Sequence, residues 1–232
     1  MRSLYSSLLF AALAVVPFAS ASAQVGYTPE KSPFRDLEYR QELTLIGGYF
    51  AASKDAARVA PQSGPMIGAH YEVHVGGPAY FTAELANVFS QRNIVDPTKA
   101  VAQRSLGTRN ESLILSDVGL ALNLTGQKSL HRLVPVIKGG IGVASDLKGA
   151  DVGGYQFGTT FAFVFGAGLK YVPGGNLQLR ADVTDYLYQI QYPSSYYAKP
   201  ASGGDPFLTN QARSGYKHNA ALTLGGSYLF FR

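Results

Sequence analysis

The chain has 232 residues, of which 46% are hydrophobic and 15% charged, and its formal net charge is +5. Soluble domains carry about 25% charged residues, and disordered chains need high charge with low hydrophobicity, so this composition excludes disorder. The chain has no cysteine, which excludes a disulfide scaffold, a thiolate metal site and a cysteine nucleophile. Beyond roughly the first 20 residues, no run reaches the ~18 apolar residues of a membrane helix.

The chain begins with a segment typical of a secretory signal peptide. Arg2 precedes the apolar run 8–18, and Ala21-Ser22-Ala23 forms a small-residue cleavage site. We therefore predict that residues 1–23 are removed on export. Residues 24–40 are polar, contain two prolines and lack a clear periodicity, so we expect a short periplasmic extension before one domain over 41–232.

Eight segments of this domain alternate apolar and polar residues, as strands with one apolar face do. Each is longer than an ordinary strand of about 5–6 residues and long enough to cross a bilayer of ~25 Å when tilted by ~40°. The seventh segment is less regular because Asp185 interrupts its apolar face, which predicts a bulge or the membrane rim there. The segments are residues 41–52, 64–76, 79–90, 111–124, 133–145, 158–172, 177–190 and 217–231.

The connections between these segments are short and long in turn, with long ones at 53–63, 91–110, 146–157 and 191–216. Short periplasmic turns and long extracellular loops with an even strand count are typical of outer-membrane barrels. We predict an all-β fold, an eight-stranded antiparallel transmembrane up-and-down β-barrel; a count of ten strands stays open. A soluble lipocalin-like barrel would place its apolar face inside, whereas here the ionisable residues lie opposite the aromatic ones.

Aromatic residues of the apolar face lie near the segment ends, which predicts the two aromatic girdles found at membrane interfaces. The high strand propensity of aromatic residues would not by itself cluster them there. The predicted periplasmic girdle contains Phe81, Tyr171, Tyr228 and Phe230, and the predicted outer girdle contains Tyr49, Phe89, Phe161 and Tyr188.

The last segment resembles the assembly signal of outer-membrane proteins, in which a polar residue, a glycine and two late aromatics are spaced as in Thr223, Gly225, Tyr228 and Phe230. The chain continues for two residues beyond this pattern. With its eight segments, the region 41–232 resembles the small outer-membrane barrels of the OmpA/OmpX type. The resemblance implies a location in the outer membrane of a Gram-negative-type bacterium, the outer-membrane assembly machinery as a partner, and the stand-alone OmpX form.

The polar face of the segments supplies a predicted set of inward side chains. An eight-stranded barrel has room for side chains and little else, so we expect these charges to pair across the lumen. Arg180 should therefore matter far more to stability than Arg104, which we place in a solvated loop. The predicted lumen set comprises Glu42, His70, Glu72, His74, Glu84, Asp117, Lys138, Lys170, Arg180 and Asp182, with Asn219 beside them.

Catalytic and metal sites are not expected. His70 and His74 lie ~13 Å apart along a strand, too far to ligate one zinc ion without help from another strand, so we predict no metal and no cofactor. The known eight-stranded deacylases carry His-x-Ser, but the residues two beyond the four histidines are Glu72, Gly76, Leu133 and Ala220. We therefore predict a protein that is not an enzyme, while catalytic groups from several strands remain an alternative.

The predicted extracellular loops carry nine cations and five anions, an excess suited to the phosphates of lipopolysaccharide or to a plain solvated surface. We predict a monomer with outer-membrane lipids as partners, no nucleic acid, and a structural, surface-interaction or adhesive role. The alternatives are a narrow channel for small or apolar solutes and a lipid-modifying enzyme. The loop charges are Lys54, Arg58, Arg92, Lys99, Arg104, Arg109, Lys148, Lys199 and Arg213 against Asp55, Asp96, Asp146, Asp151 and Asp205.

Overall fold

A computed structural model describes residues 32–201, 203–209 and 215–231. The predicted signal peptide, residues 24–31 of the predicted extension and Arg213 lie outside these ranges. Within them, no helix is both long enough and apolar enough to span a membrane. Two short 3₁₀ helices occupy Val101–Gln103 and Ser194–Tyr197. The ten strands are β1 (Phe34–Asp36), β2 (Gln41–Ala51), β3 (Gly64–Gly76), β4 (Ala79–Val95), β5 (Ser105–Asn123), β6 (Lys128–Leu130), β7 (Leu133–Asp146), β8 (Thr159–Gly174), β9 (Leu177–Ile190) and β10 (Gly215–Phe230).

The eight long strands form a closed antiparallel barrel. Each pairs with the next long strand along the chain, and β10 returns to pair with β2 over Gln41–Ala51. The predicted eight-stranded barrel is therefore confirmed. The two additional strands, β1 and β6, are three residues long and extend the sheet beside β7.

The pairing register fixes the tilt of the strands. Starting at Gln41 of β2 and stepping from partner to partner around the barrel leads back to β2 at Ala51, ten residues further along. A stagger of this size in an eight-stranded barrel goes with strands tilted by about 40°. The long strands then span the ~25 Å apolar band of an outer-membrane barrel.

The outer wall of the barrel is apolar. Leu45, Ile67 and Leu224 are 70%, 60% and 67% exposed, as expected of side chains that contact lipid. Seven of the eight predicted girdle aromatics lie on this outward face. The prediction is wrong for Tyr188, which is 1% exposed and points into the lumen, because alternation along β9 places even-numbered residues inside.

The predicted bulge at Asp185 is absent. The register of β9 with both neighbours runs unbroken through Asp185, and its irregularity lies between Tyr171 and Gly174 on the β8 side. The Asp185 carboxylate faces outward and lies 2.6 Å from His218 Nδ1 on β10. The interruption of the apolar face is thus a hydrogen-bonded Asp185–His218 pair on the outer wall.

The predicted loop 91–110 is largely strand. β4 continues to Val95 and β5 starts at Ser105, so this hairpin extends beyond the apolar band. Alternation continues in this extension, with Arg92 and Glu111 inside. A buried ion pair joins these two residues inside the extended hairpin.

We call the barrel mouth on the side of the short turns the periplasmic mouth and the opposite one the extracellular mouth, after the orientation predicted from the connection lengths. The chain before β2 lies across the periplasmic mouth. β1 pairs with β6, and β6 turns into β7 through His131 and Arg132, whose φ angles of 50° and 68° are those of a tight hairpin turn. Tyr39 donates a hydrogen bond to Asn176, and the Arg40 amide donates to the Phe231 carbonyl oxygen. Residues 34–40 are thereby fixed to three parts of the rim.

Candidate functional site

The periplasmic half of the lumen holds a buried ionic network built around Glu72. The Lys170 ammonium donates to Glu72 and, at 2.9 Å, to Glu42. The Arg180 guanidinium donates to Glu72 and, at 2.5 Å, to Asp182. All five side chains are buried, and they come from β2, β3, β8 and β9, so the network joins opposite walls of the barrel.

The same network continues through His70 toward the extracellular side of the lumen. Its Nε2 lies 3.0 Å from Glu72 and its Nδ1 lies 2.9 Å from Glu84. Each ring nitrogen of His70 thus faces a carboxylate oxygen, so the imidazole bridges the two acids. Glu84 also accepts from Lys138 at 3.0 Å and from the Tyr186 hydroxyl at 2.9 Å.

Eight of the ten predicted lumen residues are thus linked by hydrogen bonds, and the other two are not among the hydrogen-bonded set. His74 is half-buried at the periplasmic mouth, where its Nε2 contacts the Gly77 carbonyl oxygen. Asp117 is buried opposite Glu84, and its Oδ2 has no hydrogen-bond partner among the described residues. The predicted set omits Thr44, Gln178 and Ser227, although the period of two places them inside as well.

Above this network the lumen is filled by apolar side chains, which the prediction of a wholly polar interior missed. Phe50, Leu113 and Val88 are fully buried. Apart from the hydroxyls of its two tyrosines, the layer offers water no hydrogen-bonding groups, and the Tyr186 hydroxyl is already bonded to Glu84. The layer comprises Ile46, Phe50, Ala60, Met66, Ala86, Val88, Leu113, Leu115, Ala144, Ala162, Val164, Tyr186, Tyr188, Ile190 and Ala221.

A second ionic cluster lies on the extracellular side of the apolar layer. Arg92 is completely buried and donates to Glu111 at 2.9 Å and to Asp151 at 2.6 Å. Glu111 also accepts from Arg109 at 3.0 Å, and Asp146 is buried nearby in β7. Arg92 and Asp146 are therefore interior groups, and their predicted place on a solvated loop is wrong.

An aromatic cap closes the extracellular mouth. Tyr155, Tyr192 and Tyr196 pack with ring centroids 6.1–6.3 Å apart, and Phe207 lies edge-on to Tyr196 at 5.4 Å. Arg104 lies over the Phe207 ring and donates to the carbonyl oxygens of Lys99 and Asp205. Because Arg104 is 7% exposed, the expectation that it is a solvated loop residue is wrong.

Asp55 fastens the loop 53–63 to this cap. Its carboxylate accepts from the amides of Val59 and Ala60 and, at 2.9 Å, from the Tyr192 hydroxyl. Burial and the adjacent Asp55 carboxylate raise the pKa of Tyr192, so the hydroxyl remains a donor at neutral pH.

We expect Asp55→Asn to loosen the cap, because the amide carries only one acceptor oxygen for three donors. Added protease should cleave the intact protein faster within 53–63 and 191–201. Asp205→Asn is the control, since that side chain is exposed and the contact of Asp205 with Arg104 uses its backbone oxygen. Identical cleavage of both variants and of the unsubstituted protein would contradict this role for Asp55.

The periplasmic mouth contains a cavity of ≈ 530 Å³. Residues 34–41 form one wall, and Glu42 and Lys170 lie at its floor. Because these two groups belong to the ionic network, the cavity ends where the network begins.

Only some of the charged residues counted in the loop sequences are exposed on the extracellular surface. Asp55, Asp96 and Asp146 are buried, and the Asp151 side chain is 2% exposed, because each of these aspartates bonds groups of its own loop or the barrel. Asp205 alone among the five predicted anions is exposed. The exposed cations are Lys54, Arg58, Lys99, Lys148 and Lys199.

The four residues of the predicted assembly signal lie on β10 with alternating orientation. Thr223 is buried inside, and a side chain at Gly225 would collide with Thr44. Tyr228 is 55% exposed on the outer wall, and Phe230 stacks with it and with Tyr71.

A closed barrel of eight tilted antiparallel strands, apolar outside and filled inside, is the architecture of the small outer-membrane barrels of the OmpA/OmpX type. Similarity to one solved structure supports this fold. The outer membrane protein OprG of Pseudomonas aeruginosa superposes with a TM-score of 0.52 at 11% identity, covering 84% of this chain and 98% of OprG. Neisserial surface protein A superposes with a TM-score of 0.49 at 14% identity, covering 82% of this chain and 97% of that protein. No protein-family model matches the sequence, and no curated protein sequence matches it.

Proposed function

We propose that the protein is an integral, non-conducting barrel of the outer membrane, exported by its N-terminal signal peptide, whose role is structural, surface-interacting or adhesive. The observation that carries the proposal is closure of the lumen at three levels: the ionic network around Glu72, the apolar layer and the aromatic cap. A solute would have to break buried ion pairs and then cross a layer of mostly apolar side chains. The role therefore lies with the extracellular surface.

The histidine contacts support a role without catalysis. His70 bonds two carboxylates, His74 contacts a backbone oxygen, and His218 pairs with Asp185. Ser53 lies beside His218 on the outer wall, but its hydroxyl donates to the His218 carbonyl oxygen and not to the ring. A serine nucleophile needs its base on the hydroxyl itself.

We expect the purified protein to show no steady conductance in planar bilayers at neutral pH. The folded protein should show the heat-dependent shift in gel mobility that is typical of such barrels. The protein should also fractionate with the outer membrane. A known open porin, reconstituted in the same way, controls for insertion. A large steady conductance would contradict closure, and recovery from the soluble periplasmic fraction would contradict the location.

A further inference from the structure

We propose that the outer rim of the barrel between β2 and β3 binds a phosphorylated lipid of the outer leaflet, with the phosphate in a groove formed by the loop 53–63 and an acyl chain along the wall below it. The inference rests on the proposed location in the outer membrane. Its ligand class is an amphiphile with phosphate groups and several acyl chains.

The groove has a volume of ≈ 470 Å³ and is lined by Tyr49, Lys54, Arg58, Gln62 and Asn93 among others. Both cations are exposed, and neither has an ion-pair partner within the described ranges 32–201, 203–209 and 215–231. Two unpaired cations beside one groove attract a phosphate, which accepts several charge-assisted hydrogen bonds.

The carboxylate of Asp55, which also lines the groove, already accepts hydrogen bonds from other groups. Both oxygens of Asp55 accept hydrogen bonds from backbone amides of the same loop, and one also accepts from Tyr192. Asp55 is buried and keeps its charge. The groove therefore carries two exposed cations, Lys54 and Arg58, against one buried anion.

The loop that carries these cations is held in one shape. Arg58 has φ 55°, a left-handed conformation that costs energy for a residue with a side chain. Asn93 donates to the Arg58 carbonyl oxygen at 2.8 Å, and the Arg58 amide donates to the Asp55 carbonyl oxygen. A strained backbone that its neighbours hold in place is typical of a preorganised binding site.

The wall beneath the groove has an indentation at Gly47, where a side chain would meet nothing within 4 Å. Ile67 and Leu224 pair with Gly47 on either side, and both are largely exposed. Tyr49 lies two residues above Gly47 on the same face and lines the groove. An acyl chain that descends from a phosphate in the groove would pass Tyr49 and fill this indentation.

The test is a titration of the intact protein in detergent micelles with bisphosphorylated lipid A, followed by native mass spectrometry. We expect Lys54→Gln/Arg58→Gln to weaken binding about tenfold or more, since two charge-assisted contacts are lost. Dephosphorylated lipid A should bind both proteins equally. The control Lys99→Gln/Lys199→Gln removes the same charge from exposed sites outside the groove and should change binding less than about twofold.

The variant Gly47→Leu distinguishes the binding of a lipid from the binding of a free anion. Leucine fills the indentation, so this variant should bind lipid A several-fold more weakly while its affinity for inorganic phosphate is unchanged. Equal losses in the two double variants, or full competition by inorganic phosphate with no effect of Gly47→Leu, would overturn the proposal. A closed barrel that binds no lipid A refutes only this inference, whereas a conducting barrel that binds it refutes only the proposed function.

Discussion

Replacing Glu72 with glutamine is expected to lower the free energy of unfolding by about 3–5 kcal/mol, the range for removing one partner from a buried ion pair. Glu72 is 0% exposed and accepts from Lys170, Arg180 and His70. The amide keeps the size of the side chain but leaves the buried cations Lys170 and Arg180 with one anion fewer. Unfolding of the protein by heat or urea in micelles measures the loss.

Asp36→Asn is the matched control for Glu72→Gln. Asp36 lies 3.8 Å from Lys128, its side chain is 79% exposed, and that of Lys128 is 58% exposed. Pairs in water contribute little because solvent screens them, so this variant should unfold within about 0.5 kcal/mol of the unsubstituted protein. Equal unfolding midpoints for the two variants would mean that the lumen around Glu72 is hydrated.

The double variant Tyr228→Asp/Phe230→Asp is expected to abolish insertion into the outer membrane. It places two carboxylates on the outer wall near the periplasmic interface, where apolar and aromatic groups contact lipid. It also removes both aromatics of the predicted assembly signal. The strand affected is the one that closes the barrel, since β10 pairs with both β2 and β9. Fractionation and the heat-dependent gel shift report the folded protein.

Tyr216→Asp tests whether any aspartate on β10 has the same effect. Tyr216 is 55% exposed on the same face, at the extracellular end of the strand. Its replacement leaves the predicted signal intact, so most of the protein should still insert. Normal insertion of the double variant would refute the role assigned to Tyr228 and Phe230.

The barrel could be predicted because an apolar wall facing lipid and a lumen with charged groups produce a period of two in the sequence. The ionic network around Glu72 followed from the same alternation, since Glu72, Lys170 and Arg180 all interrupt apolar runs. The parity of β9 also predicts that Tyr188 faces inward, but its aromatic character suggested a girdle. Aromatic side chains suit both faces of such a strand, so residue type was the weaker guide.

The apolar layer and the second ionic cluster could not be predicted in the same way. Phe50, Leu113 and Leu115 face the lumen although their strand neighbours face lipid, so apolarity no longer distinguishes the two faces there. Arg92 pairs with Glu111 on β5 and Asp151 in a distant loop. Local sequence contains no sign of that loop's position, because the position depends on how the cap packs over the mouth.

Closure of the barrel depends on the most distant pairing in the chain. Gln41 pairs with Phe230, so nearly the whole domain must be present before the circle is complete, and contacts between residues so far apart in sequence make folding slow. Until β10 docks, β2 and β9 are free sheet edges with unpaired amide and carbonyl groups, which a hydrocarbon environment cannot satisfy. The unclosed chain therefore needs a protected, polar setting for these two edges until β10 has paired with both.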